Sequence, residues 1–255
     1  MSAFVSLEEK DIFLHQLFTK CVKFSDTGFN TGAWNMQYDS DLLYQLADSP
    51  SDDIYFRVYG WSPWAISLGA NQKDTDIDAE LLSQHGYDVV RRLTGGRAVF
   101  HANEITYSLV MRIPQEITIH DIYRVSHQLL LQGLQKLGNN NLSFQKSQTN
   151  FSELYKSTTD SVSCFASSAR YEIMNNNRKV VGSAQRVYKN TLLQHGSILI
   201  GQEHSSLPFF VKNKTTEQMR RMQQMLINTS STLQEVFGSW VTYQDCSNAL
   251  CSFAA

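Results

Sequence analysis

No run of apolar residues in this sequence is longer than three. A membrane-spanning helix needs roughly 18, so no membrane partner is expected. The first residues, MSAFVSLEEKDIFLHQLF, carry charges inside their apolar pattern and lack the hydrophobic region of a signal peptide. Charge of one sign is also missing. Lys and Arg number 22 against 24 Asp and Glu, a formal charge of −2, so there is no basic field to hold nucleic acid. Cysteine is scarce, at positions 21, 164, 246 and 251. None forms a CxxC pair and none has histidine neighbours at zinc-site spacing, so no metal site is expected. Four thiols without a secretory signal read as reduced cysteines in a cytoplasmic protein.

What is present is the balance of a soluble globular protein: 255 residues, 42% apolar and 18% charged. A chain of this length buries most of its surface on folding without disulfide or metal staples. Residues 1–29 predict an appended N-terminal helical extension, with Ser6 and Glu9 as a capping box and Leu7, Leu14, Leu17 and Phe18 as its apolar stripe. The stretch SDTGFNTG (25–32) reads as a loop, and a helix is predicted from about Met36 to Ala47. Strand patterns follow at 54–61, 65–69, 87–92 and 105–113, then a helix at 121–138. Further strands are predicted at 171–174, 178–187 and 191–200, joined by tight turns as antiparallel hairpins. The tail reads as helices capped by Thr215 with Gln218, Ser231 with Gln234, and Thr242 with Asp245. Strands interleaved with helices predict an α/β domain of the α+β type, with a mixed, largely antiparallel central sheet flanked by helices.

Two segments have the composition of a binding or reacting site. In RRLTGGRAVFH (91–101) two arginines precede a two-glycine turn, and Arg97 and His101 follow. Backbone N–H groups and guanidinium forks suit a phosphate or carboxylate, although a surface turn with solvated arginines reads the same way. The second segment runs from Cys164 to Ile200. Here Cys164 precedes a strand and Lys179 begins the next, and Gly182, Ser183 and Ala184 are small residues in a strand interior. His195-Gly196 repeats that theme. A lysine beside a thiol favours the thiolate, yet a lone cysteine is commonly a small buried hydrophobe.

At these segments the sequence resembles the catalytic domains of the lipoate–protein ligase, octanoyltransferase and biotin–protein ligase family. The resemblance rests on NMxxD (35–39), SLGxxQ (67–72), RRxTGGRAVFH (91–101), RKVVGSAQ (178–185) and LLQHGS (192–197), in this order and spacing, and runs from about Asn35 to the end of the chain. It implies the biotin/lipoate protein ligase fold over one domain, residues 30–255, with no separate accessory lobe. The 55 residues after Ile200 are fewer than the about 100 that an independent domain usually needs.

Arg97, and Cys164-Phe165 placed 15 residues before Lys179, resemble the LipM-type octanoyltransferase branch more than the ligases. That branch implies Cys164 as nucleophile and Lys179 as the group that holds its thiolate. It implies an acyl and substrate site of Gln72, Arg91, Arg92, Thr94, Gly95, Gly96, Arg97, His101, Gly182, Ser183, Ala184, His195 and Gly196. The implied donor is octanoyl-acyl carrier protein. The implied acceptor is a lipoyl domain, such as glycine cleavage H protein or a 2-oxoacid dehydrogenase E2 subunit, and no cofactor is required. On this reading Lys179→Ala keeps the fold and abolishes transfer. The alternatives are an ATP- and Mg-dependent lipoate–protein ligase, in which Cys164 is incidental, and a non-catalytic acyl-binding scaffold. Two features depart from the resemblance: Leu93 stands where proline is frequent, and Ala166-Ser167-Ser168-Ala169 replaces an acidic, proline-containing stretch after Cys164-Phe165.

Overall fold

The computed structural model describes residues 6–138, 141–144 and 171–251. Helix α1 (Leu7–Cys21) starts at the Ser6–Glu9 capping box and buries Leu14 and Phe18. The chain then enters strand β1 (Val22–Asn30), which pairs in parallel with β2 (Ile54–Trp61). Residues 25–30 are therefore strand, where the sequence predicts a loop. The Asp-Thr-Gly signal marks a bulge: Gly28 has φ +65°, and the register shifts between Asp26 and Phe29. The segment 1–29 is thus not purely helical, because residues 22–29 belong to one edge of the central sheet.

That sheet has five strands in the order β1-β2-β6-β11-β10, with β6 spanning Glu104–Arg112, β10 Val181–Tyr188 and β11 Thr191–Leu199. Every pairing in it except β1–β2 is antiparallel, so the expected mixed, largely antiparallel sheet is present. Alternation divides its side chains between two faces. One face carries Phe56, Ile105, Tyr107, Leu109 and Ile198, which pack in one core with α1 and with Ile122, Val125 and Leu130 of α4 (Ile119–Gln135). The other face carries Arg57, Tyr59, Thr106, Ser108, His195 and Ser197, and meets α2 (Gly32–Asp48) and a second sheet. This second sheet is β4-β3-β5, with β3 Ala65–Leu68, β4 Asp88–Arg91 and β5 Val99–His101. The short helix α3 (Ala79–Gln84) precedes β4.

A third small sheet joins β7 (Leu142–Phe144), β8 (Ile173–Asn175) and β9 (Arg178–Lys179). The segment read as one strand over 178–187 is split at Val180. Lys179 pairs with Met174 of β8, whereas Val181 pairs with Ile198 of β11. Asn176 and Asn177, at φ +48° and +62°, make the tight β8–β9 turn. The tail forms α5 (Thr216–Thr229), α6 (Leu233–Phe237) and α7 (Tyr243–Cys251). The α6 cap is Thr232, which accepts from Glu235 N, and not the predicted Ser231. Ser231 instead donates to the Glu235 carboxylate and binds the Lys179 carbonyl through its backbone N–H. Cys246 is buried, while Cys21 and Cys251 are exposed. Among the described residues no helix is long and apolar enough to cross a membrane, and no cluster of three His, Cys, Asp or Glu side chains could hold a metal ion.

Candidate active site

The NMxxD segment explains itself once folded. Asn35 and Asp39 are four residues apart on α2 and so share one helix face. Both are buried, and both grip the Arg57 guanidinium of β2: Arg57 Nη1 donates to Asp39 Oδ1 at 2.9 Å, and Nη2 donates to Asn35 Oδ1. The Tyr59 ring lies 3.8 Å from the guanidinium carbon. Asp39 also accepts from Tyr59 Oη at 3.0 Å and Ser108 Oγ at 2.8 Å, and its Oδ2 lies 3.5 Å from His195 Nδ1. Burial pushes this carboxyl up, but His195, Arg57 and Ser108 together hold it below the usual carboxylate range. His195 is pushed down by burial, which outweighs Asp39, and its Nε2 sits 2.6 Å from Thr94 Oγ1.

Thr94 belongs to the glycine turn, and the two preceding arginines hold that turn in place. Arg92 donates to the carbonyls of Ser67 (2.9 Å), Gly95 (2.9 Å) and Arg97 (2.7 Å). Arg91 donates to the carbonyls of Gly69 (2.6 Å) and Gln72 (2.7 Å) and pairs with Asp74. A Cβ at Gly69 would run into the Gly96 carbonyl oxygen, so the SLG and TGG segments require glycine where they cross. The structure thus gives both arginines a conformational task that composition did not suggest.

Between the two sheets lies a cleft that opens to solvent. Tyr59, Trp61, Thr106, His195 and Ser197 line it from the central sheet, Ser67, Val99 and His101 from the second sheet, and Met36 from α2. Of the residues expected at the site, Arg92, His101, Gly182, Ser183, Ala184, His195 and Gly196 line this cleft. Thr94 stands behind His195. Gly95, Gly96 and Arg97 form the adjoining turn, Gln72 lies on the loop after β3, and Arg91, the last residue of β4, reaches across to that loop. Gly196 has no room for a side chain: a Cβ there would strike Ser183 Oγ. Ser183 turns its hydroxyl to the opposite face of the sheet, onto Tyr107 Oη (2.7 Å) and His127 Nε2 (3.0 Å) of α4.

Lys179 does not line the cleft. It is buried, with its Nζ 2.6 Å from Glu172 Oε1, also buried. Cys164 lies outside the described residues. Sequence reasoning missed Asp39, Tyr59, Trp61, Ser67, Glu104, Thr106 and Ser197 as site residues. Three of them stood in quoted motifs, Asp39 closing NMxxD, Ser67 opening SLGxxQ and Ser197 closing LLQHGS.

Residues 31–254 match the family model described as the lipoyl protein ligase A/B catalytic domain. The chain belongs to the lipoyl protein ligase A/B catalytic-domain family. Within it, the chain is 32% identical to octanoyltransferase LipM of Geobacillus kaustophilus, over 89% of this chain and 82% of that protein. It is 33% identical to octanoyltransferase LipM of Bacillus subtilis, over the same shares. Among solved structures, lipoate-protein ligase A bound with ATP superposes with a TM-score of 0.67 at 18% identity, covering 91% of this chain and 83% of that one. The bipartite lipoate protein ligase of Thermoplasma acidophilum also gives 0.67, at 17% identity, covering 91% and 81%. The fold class implied by the sequence resemblance is thus the one observed.

Burial also fixes charge states away from the cleft. His127 is pushed down to about 3 by burial and by the Lys179 charge, against the opposing Tyr171 backbone. His204 is pushed down to about 4, again mainly by burial, and bonds Ser230 Oγ at 2.8 Å. A histidine whose folded pKa is lowered binds fewer protons folded than unfolded. Its contribution is complete above the unfolded value of about 6.5 and fades as pH falls. From pH 6.5 to 4.5 these two histidines are expected to remove about 4 kcal/mol of folding stability, the slope of each starting at half of about 1.4 kcal/mol per pH unit and approaching that value as pH falls. Urea unfolding at the two pH values measures the loss, and His127→Phe should roughly halve it. An unchanged pH dependence would show that His127 is not buried neutral.

Proposed function

We propose that this protein is an octanoyltransferase that carries an octanoyl group from acyl carrier protein, through a cysteine thioester, to the lysine of a lipoyl domain. One observation carries the reading: identity above 30% to octanoyltransferase LipM proteins over about nine-tenths of the chain. The mainly apolar cleft beside a glycine turn supports it, because an eight-carbon tail buried there gains about 0.8 kcal/mol per CH₂.

In this reaction the Cys164 thiolate attacks the carbonyl carbon of the octanoyl thioester. A new C–S bond forms, the bond to the carrier's sulfur breaks, and the carrier leaves as a thiolate that takes up a proton from solvent. The acceptor lysine amine then attacks the acyl-enzyme, an amide forms, and Cys164 leaves as thiolate while the amine's proton passes to a base. Lys179 supplies the positive charge that favours the thiolate. The thioester is already activated, so the reaction draws on neither ATP nor a metal ion. The acceptor would be a lipoyl domain such as glycine cleavage H protein or a 2-oxoacid dehydrogenase E2 subunit, and both proteins would meet in the cytoplasm.

Intact-mass spectrometry after mixing with octanoyl-acyl carrier protein tests this. The wild type is expected to gain the mass of one octanoyl group and to lose it to added lipoyl domain, while Cys164→Ala gains none. Pyrophosphate release from ATP with lipoate, without any adduct, would make the protein a ligase instead.

A further inference from the structure

Three buried side chains at the cleft wall form a line to which the transfer reaction assigns no chemical step. Ser67 Oγ on β3 lies 2.8 Å from His101 Nε2 on β5. His101 Nδ1 lies 3.1 Å from Glu104 Oε1 at the start of β6. Glu104 is an acceptor from every side, taking further hydrogen bonds from the Thr106 and Ser197 hydroxyls. A carboxylate in that position calls for the ring proton on Nδ1, which leaves Nε2 to accept the proton of Ser67. The Trp61 ring is stacked on His101 at 4.0 Å and 14°, and Trp61 Nε1 is anchored on Thr106 Oγ1 at 2.8 Å, so the imidazole cannot swing. Ser67 and His101 both line the cleft. Arg92 Nη1 donates to Ser67 Oγ at 3.1 Å, which fixes that oxygen beside the imidazole. Nucleophile, base and orienting carboxylate are within hydrogen-bond reach of one another, as a serine hydrolase requires.

We propose that Ser67, His101 and Glu104 form a second reactive centre that hydrolyses medium-chain acyl thioesters and esters bound in the cleft. Ser67 Oγ attacks the acyl carbonyl as its proton passes to His101 Nε2. A C–O bond forms, the C–S or C–O bond of the substrate breaks, and the leaving thiol or alcohol takes the proton from His101. Water, deprotonated by His101, then attacks the serine ester and releases the fatty acid with Ser67 restored. The consequence is a slow discharge of acyl groups that find no acceptor. The inference rests on the proposed transfer only for the choice of an octanoyl substrate.

The test uses the full chain in the Cys164→Ala background, with S-octanoyl pantetheine and p-nitrophenyl octanoate as substrates. Saturable release of thiol and nitrophenol is expected, and it should fall at least tenfold in Cys164→Ala/Ser67→Ala and in Cys164→Ala/His101→Gln. In Cys164→Ala/Ser67→Cys the intact mass should show an octanoyl thioester, mapped to position 67 by peptide fragmentation. This arm does not depend on the alanine variant keeping its fold. Equal release with and without Ser67, and no adduct at position 67 of the Ser67→Cys variant, would overturn the proposal even if wild type forms the Cys164 acyl-enzyme. Ser67-dependent release from a wild type that never acylates Cys164 would instead overturn the transferase reading and leave the hydrolytic centre standing.

Discussion

Replacing Lys179 by methionine is expected to do two separate things: abolish octanoyl transfer and lower stability by about 3–5 kcal/mol. The first effect follows from the proposed chemistry. Loss of the charge that favours the Cys164 thiolate should reduce acyl-enzyme formation by more than about 100-fold. The second follows from the fold. Lys179 and Glu172 are both buried and 2.6 Å apart, and removing one member of such a pair leaves the other's charge without its lysine in a poorly solvated place. The sequence reading expects Lys179→Ala to keep the fold, since a lysine at a strand end is ordinarily solvated. The buried partner changes that expectation. The double variant Glu172→Gln/Lys179→Met separates the effects: it should recover most of the lost stability in urea unfolding and none of the transfer activity in the mass assay. A Lys179→Met protein as stable as wild type would mean that the ion pair does not matter to folding.

The same contrast runs through the rest of the molecule. Elements with a local signal were legible. The α1 capping box, the alternation of β6, the Asn-Asn turn before β9 and the Thr215 cap of α5 are each written within a few residues and found in place. What the sequence hid depends on partners distant along the chain. Strand β1 is strand only because β2 lies alongside it, and its Gly28 bulge imitates a loop in composition. The break at Val180 arises because the two halves of one apolar pattern pair with different sheets.

In the site, glycines and arginines were visible as a motif, but their task was not. Arg91 and Arg92 carry the composition of an anion site, and the structure directs them to backbone carbonyls of the glycine turn and of residues 67–72. Ser67, His101 and Glu104 come from three strands, and only the i, i+3 spacing of the last two was available in one dimension. His127 and Glu172 gave no sign of burial: His127 stands between Ser126 and Gln128, and Glu172 between Tyr171 and Ile173 reads as the solvent-facing position of a strand.

Arg57 is the residue where burial, charge and site geometry meet most closely, and Arg57→Met should be among the most damaging changes to the fold. The guanidinium is 1% exposed and is held by Asp39, Asn35 and Thr27 and by the Tyr59 and Tyr38 rings. Methionine replaces much of the volume but none of the charge, so Asp39 is left buried with Tyr59, Ser108 and a neutral-leaning His195. The expected loss at neutral pH is about 3–5 kcal/mol.

Its pH dependence identifies the cause. In the wild type the Asp39 carboxyl is held below its ordinary value, so its contribution is present above the unfolded value of about 3.9 and fades only as pH falls through the folded one. Without Arg57 burial prevails, the folded carboxyl rises above the unfolded value, and the penalty is present at neutral pH and relieved as Asp39 takes up a proton. The stability gap between variant and wild type should therefore shrink from pH 7 to pH 4.5, and Asp39→Asn/Arg57→Met should close most of it at both. A gap that does not change with pH would attribute the loss to packing against the aromatic rings. In either case His195 loses the anchored carboxylate facing its Nδ1, so the cleft wall should loosen along with the fold.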